Sequence, residues 1–168
     1  MGLDITAYRK LTKTNVAVLD SSGYPENYVN FWKARHVATT EQEFPGRTEG
    51  IEAEAVYSHS ERMDFRAGSY AGYNAWRDRL ARLAGHESAK GAWDKPPPAG
   101  SPFIELINFF DNEGIIGPVV SAKLAADFSA HREMAERFEW PDRWFFEAYC
   151  LWQKAFEMAA DGGAVSFH

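Results

Sequence analysis

The apolar residues of this chain change period twice, and that order limits what it can fold into. The early stretches "LDITAYRKL" and "VAVLD" alternate or run apolar over strand length. Between residues 73 and 160 the repeat lengthens to helical spacing, and after Gly162 and Gly163 the closing "AVSFH" is strand-like again. Strands at both ends with helices between them predict an α+β fold. Its small mixed sheet would combine N-terminal strands with a C-terminal strand, packed on one face against about four helices. A length of 168 residues fits a single globular domain, residues 1–168.

Local signals divide the chain further. "SSGYPENY" is turn chemistry, because Gly23 permits positive φ and Pro25 holds its own. Residues 28–50 read as irregular, and short strands are expected at 54–58 and 63–66. A first helix spans 73–84, with Tyr73, Trp76, Leu80 and Leu83 on one stripe and Gly85 as its stop. Three prolines in "KGAWDKPPPAGSP" forbid helix or central strand, which makes this an ordered surface loop. Pro102 opens a short helix to 110, and "DNEGIIGP" breaks it. A third helix runs from 118 or 121 to 137. A fourth starts at Pro141 or Asp142 and reaches 160, with Trp144, Ala148, Leu151, Trp152, Ala155, Phe156 and Ala159 as a broad apolar face that marks it as central.

Composition excludes several function classes. Residues 1–84 carry 11 Lys and Arg against 11 Asp and Glu, whereas 85–168 carry 7 against 13 and hold the whole net charge of −6. An acidic chain without a basic cluster lacks the electrostatic footprint of a duplex binder, so nucleic acid is not the expected partner. A small anion stays compatible, since a few local donors outweigh a distant charge. Cys150 is the one cysteine and lies in an apolar helical pattern, so no internal disulfide forms and a buried hydrophobe is expected. No apolar run reaches a membrane span of about 18 residues, and the first ten residues lack signal-peptide order. A cytoplasmic, membrane-free protein is the expectation. The five histidines have no metal-ligand spacing and no cofactor motif occurs, so no metal and no cofactor are expected. His131 reads as solvated, and His168 as part of a frayed terminus unless the final strand lies beside a pocket.

Two stretches carry candidate chemistry. In "FRAGSYAGYNAWR" Gly68 and Gly72 let the backbone approach a ligand, and the helix that follows offers unpaired N–H groups to an anion. Arg66 and Arg77 would contact that anion, Ser69 and Asn74 would add donors, and Tyr70 or Tyr73 would stack on a base. The plainer alternative makes Ser69 or Asn74 a helix cap and the glycines turn residues. In "NFFDNEGIIGP" the acidic Asp111 and Glu113 face a helix C-terminus, where helix stability would not choose them. Asp111, Asn112 and Glu113 would read polar edges of the ligand, or form only a solvated turn. Aromatic residues outside clean core stripes, Phe31, Trp32, Trp93 and Trp140, suggest stacking or a subunit interface, and a homo-oligomer is expected.

The stretches "MGLDITAY", "FRAGSYAGYNAWRDRLARLAG", "FIELINFFDNEGIIGPVVSAKLAADF" and "WQKAFEMAADGGAVSFH" together resemble a family of small proteins encoded by bacteriophages and bacterial genomes, over about two-thirds of the chain. The resemblance brings no activity and no catalytic residues to these positions. It implies a setting in which a single-domain intracellular protein acts by binding, including sequestration of a nucleotide signal or blockade of a host enzyme. The expected function is a non-catalytic protein binding a small anionic molecule of nucleotide type. The alternatives are a hydrolase or lyase on a similar ligand, with Asp111 or Glu113 as base, and an inhibitor of a protein partner.

Overall fold

The chain's two ends meet in one sheet. The computed structural model describes residues 2–138 and 143–168, ordered as β1 (Gly2–Arg9), β2 (Thr12–Lys13), β3 (Phe31–Lys33), α1 (Val37–Glu43), β4 (Val56–Ser58), β5 (Glu61–Ser69), α2 (Tyr70–Leu83), α3 (Ala89–Asp94), α4 (Ile104–Ile107), β6 (Gly114–Ile116), α5 (Pro118–Arg137), α6 (Arg143–Ala160) and β7 (Ala164–Phe167). The main sheet has the order β5-β1-β7-β6, and a second sheet has the order β2-β4-β3. The fold is α+β, as expected. The strand pairings are all antiparallel rather than mixed, because every paired neighbour runs against its partner.

Period-two alternation on β1 decides what each face covers. Leu3, Ile5 and Ala7 enter a core with Val165 and Phe167 of β7, closed by α2 and α6. That core is dominated by rings. Trp76 and Trp152 stack at 5.6 Å between centroids, and Trp152 also meets Phe65 at 5.2 Å and Phe167 at 5.5 Å. Such contacts are worth about 0.5–1.5 kcal/mol per pair beyond the area they bury. On the opposite face, Tyr8, Ala164 and Ile115 pack with Trp32, Val37 and Tyr57 from the segment 10–58. The sheet is therefore covered by helices on one side and, over Tyr8, Ala164 and Ile115, by the small sheet with α1 on the other, while its β5 edge stays open.

Two glycines shape the return to the sheet. Gly162 takes φ +62°. Gly163 lies so close to β1 that a Cβ there would stand 1.8 Å from the Tyr8 carbonyl oxygen.

Several local readings change. "VAVLD" forms no strand: Val16 and Val18 are exposed, and the segment makes a single bridge between Leu19 and Pro25. Elements β3 and α1 occupy the stretch read as irregular. The N-cap of α1, His36, makes no side-chain cap bond, so the usual start signal is missing. Element α3 sits in the proline-flanked loop, capped by Ser88. Element α4 is a single turn entered through Phe103 at φ 59°, whose N–H donates to Asp127 Oδ2 at 2.8 Å. Element β6 replaces the expected break, because Gly114–Ile116 pairs with β7 and is wholly buried. Helix α2 begins at Tyr70, ahead of the expected 73, since Ser69 Oγ accepts the Gly72 N–H at 3.0 Å. The expected start of the last helix, with Trp140, lies outside the described residues.

Gly163→Ala should lower stability by at least about 1–3 kcal/mol through backbone displacement at Tyr8, and Trp152→Ala by about 3–5 kcal/mol. Leu151→Ala, at a position 41% exposed, should stay within about 0.5 kcal/mol. Urea denaturation of the three variants measures these differences.

Candidate functional site

Strand register on the face away from the helices lines up polar side chains across the sheet. One row is Asp64, Thr6, Ser166 and Ile115 from β5, β1, β7 and β6. The adjacent row begins with Arg66 opposite Asp4. Asp4 exchanges both backbone hydrogen bonds with His168, at 2.9 and 3.0 Å. Glu113 follows as the next residue beyond the Gly114–Phe167 pair. A third row holds Arg62, Tyr8 and Ala164. Four strands thus bring three acids, two arginines, a histidine and three hydroxyls from distant parts of the chain onto one patch.

The segment 24–36 roofs part of this patch and encloses a cavity of about 380 Å³. One wall is aromatic: Tyr8 and Trp32 stack at 5.0 Å, with Tyr24, Tyr28 and Phe31 around them. Lys33, Arg35, Arg62, His36 and His168 also line it, and Glu113 is its one acidic lining residue. At one end Arg35, His36 and Glu113 open onto a neighbouring hollow, and at the other Arg62 and His168 open onto a second. Glu113, the cross-strand neighbour of His168, also stands beside His36, so both imidazoles line the cavity near one carboxylate.

Hydrogen bonds decide which of these groups are free. Arg62 donates to both oxygens of Asp64, at 2.8–3.0 Å, and to the Tyr28 carbonyl at 3.0 Å. Thr6 Oγ1 donates to Asp64 Oδ1 at 2.8 Å and lies 2.9 Å from His168 Nε2. Burial would raise the Asp64 carboxyl, but the bonds from Arg62 and Thr6 outweigh it and hold the group below its ordinary range. The same Asp64 bond raises Arg62. Burial pushes the Tyr8 phenol up, so it stays a neutral donor. Lys33 pairs with Glu54 at 3.1 Å and donates to the Gly23 carbonyl at 3.0 Å. Arg35 donates to the Tyr24 hydroxyl and is not ion-paired among the described residues. His36 Nδ1 stands 3.9 Å from Glu113 Oε2.

The residues expected to form one site are distributed over three places. Arg66 lies at the rim on the open sheet face, 3.5 Å from Asp4. Glu113 lines the cavity, and Asn112 lines the hollow beside it. Asn74, Arg77 and Asp111 come together elsewhere. Asn74 Nδ2 donates to Asp111 Oδ2 at 2.7 Å, and Arg77 donates to Asn74 Oδ1 and, at 2.6 Å, to the Phe109 carbonyl. The two candidate stretches thus touch through the Asn74–Asp111 bond. The hollow beside this network, about 610 Å³, also holds Asp78, Lys90, Trp93 and Asp94. There Asp78 accepts the Ala89 N–H and Lys90 pairs with Asp94, so the polar groups answer one another.

Three of the expected residues have structural partners. Tyr73 is fully buried against Trp76 and Trp152, so its ring has no face for a ligand. Ser69 is spent as the α2 cap. Tyr70 packs partly buried against the helical core. Among the other residues singled out, Trp32 is cavity wall and not an exposed loop ring, while Trp93 is half-exposed. His131 is part-buried and bonds the Asp127 carbonyl. His168 is held in register on both its backbone and its ring instead of fraying.

Sequence reasoning missed Tyr8, Thr6, Asp64, Arg62, Arg35 and His36 as site residues. The only available signal was the alternation of β1, which places Thr6 and Tyr8 opposite Ile5 and Ala7. No protein-family model matches the chain, and no curated protein and no solved structure matches it at a significant level. Among the described residues no helix is long and apolar enough to cross a membrane.

Acid should act on this face at two stages. Burial first, and Arg62 second, push the His59 imidazole, whose ring packs on Tyr8, below its ordinary 6.5. The unfolded chain therefore takes up that proton more readily, and stability falls as pH drops through 6.5. Asp64, lowered from 3.8, contributes stability above that value that is lost as pH falls through its folded range. His59→Gln should flatten the stability curve between about pH 5 and 7, and Asp64→Asn should flatten the steeper loss below about pH 4. Thermal unfolding across pH tests both.

Proposed function

We propose that the protein binds a small anionic molecule with a planar aromatic part, of nucleotide class, in the cavity between the open sheet face and segment 24–36. The observation that carries this reading is the Tyr8–Trp32 wall set beside Arg35, Lys33 and Arg62 in one cleft of about 380 Å³. That volume lies within the usual range for small-molecule sites, about 300–1,000 Å³. Aromatic faces supply stacking that tolerates different bases, and Arg35, lacking a carboxylate partner, supplies charge for the anion. The acidic total is no obstacle, because the surplus of acids belongs to residues 85–168 and most of the cavity comes from earlier ones. Sequestration of a nucleotide-derived signal is the role that fits both this site and the resemblance to phage-encoded proteins.

The anion site expected at residues 66–77 gives way to this cavity. Arg77 and Asn74 are committed to Asp111 and to the Phe109 carbonyl, whereas among the described residues Arg35's side chain meets only a tyrosine. A thermal-shift panel of linear and cyclic mononucleotides tests the choice. A ligand at 100 times its Kd should stabilise by about 2.7 kcal/mol. Arg35→Ala should lose most of that shift and Arg77→Ala should keep it. Loss in Arg77→Ala alone would return the site to the α2 hollow, and flat curves throughout would exclude a nucleotide ligand.

A further inference from the structure

The proton positions around Thr6 are not free to vary. Thr6 has one hydroxyl proton and two polar neighbours, Asp64 Oδ1 at 2.8 Å and His168 Nε2 at 2.9 Å. Asp64 is a carboxylate held by Arg62, so it can only accept. The Thr6 proton must therefore point to Asp64, or two lone pairs would face each other. His168 Nε2 must then carry a proton and donate it to Thr6 Oγ1. In the neutral ring this leaves Nδ1 as the basic nitrogen, and Nδ1 makes no hydrogen bond among the described residues. Thr6 is only 2% exposed, whereas Asp64 and His168 reach solvent.

A base oriented by a third group is the arrangement that general-base catalysis uses. A second imidazole, His36, lines the same cavity, with the Glu113 carboxylate 3.9 Å from its Nδ1. The charged groups around His168 are Asp4 on β1, Asp64, Arg62 and Arg66 on β5, and Glu113 on the β6 side. Those around His36 are Arg35, Glu54 and Glu113.

Building on the nucleotide reading above, we propose that the cavity hydrolyses a cyclic phosphodiester of a mononucleotide, with His168 as general base and His36 as general acid. His168 Nδ1 takes a proton from water as the water oxygen forms a bond to phosphorus. The phosphorus–oxygen bond to the sugar breaks, and that oxygen receives the His36 proton. One water is consumed, a phosphomonoester with a free sugar hydroxyl results, and both imidazoles regain their starting protonation from solvent. No metal, oxidant or second substrate is required. Arg35 neutralises the phosphoryl oxygens, and Tyr8 and Trp32 hold the base. Thr6 and Asp64 act as positioning residues, since they act only through His168.

Phosphorus-31 NMR on 2′,3′- and 3′,5′-cyclic mononucleotides tests this, with binding followed separately by thermal shift. The expected result is a growing monoester signal at a rate with a bell-shaped pH profile. His168→Asn and His36→Asn should each cut that rate by about 10²–10⁴-fold while keeping the thermal shift. Thr6→Val should leave binding intact, alter the limb of the profile set by the base, and convert the single Nε2–H tautomer of His168, seen in long-range ¹H–¹⁵N spectra, into a mixture. Cyclic nucleotides that bind and stay intact would overturn the catalytic proposal and leave the binding reading standing. So would a His168→Asn rate equal to wild type. Absence of any thermal shift would overturn both.

Discussion

The antiparallel pairing of β1 with β7 is the constraint on which the rest depends. It joins residues near 5 to residues near 167 and makes β1 a strand with neighbours on both sides. Its tightest point is Gly163, where the chain leaves α6 and passes against the Tyr8 carbonyl with no room for a side chain. Because successive residues of a strand face opposite ways, this one pairing sends Ile5, Ala7, Val165 and Phe167 into the ring-rich helical core. The same pairing sends Thr6, Tyr8, Ser166 and His168 to the cavity. A slip of one residue would exchange the two sets and destroy both.

The two faces hold their residues by different physics. The helical side is held by close packing of Trp76, Trp152, Tyr73 and the phenylalanines around them, with buried bonds from Trp76 to the Phe145 carbonyl and from Tyr149 to the Phe128 carbonyl. The cavity side is held by a chain of hydrogen bonds from Arg62 through Asp64 and Thr6 to His168. Each link there fixes the direction of the next, and a rigid sheet sits beneath it. That rigidity makes a shared proton between a hydroxyl and an imidazole meaningful, since the ring cannot turn without also breaking a bond to a buried oxygen.

Much of the fold was legible. The helices at 118–137 and 143–160, the terminal strands and their pairing all follow from apolar period and from Pro118, Gly162 and Gly163. The errors have local causes. Val16, Val18 and Leu19 look like a strand but find no partner edge, and only pairing makes a strand. Ile115 and Ile116 look like punctuation between glycines, yet an open edge of β7 was waiting for three residues. Helix α1 carries no cap signal, and Ser69 moved the start of α2 earlier by capping it.

The site was much less legible. The residues that looked chemical, Ser69, Tyr73, Asn74, Arg77 and Asp111, satisfy one another or the helices that carry them. Their polar atoms had nearby partners that a linear reading does not reveal. By itself the sequence determined the α+β class, the helical core and the parity of β1, because period and propensity are properties of neighbouring residues. Only the tertiary structure decided that Thr6, Asp64, Glu113 and His168 share one patch under Trp32 and Arg35. Cross-strand register over separations of 58 and 162 residues sets those contacts, and register is fixed by burial of whole faces, which no local pattern encodes.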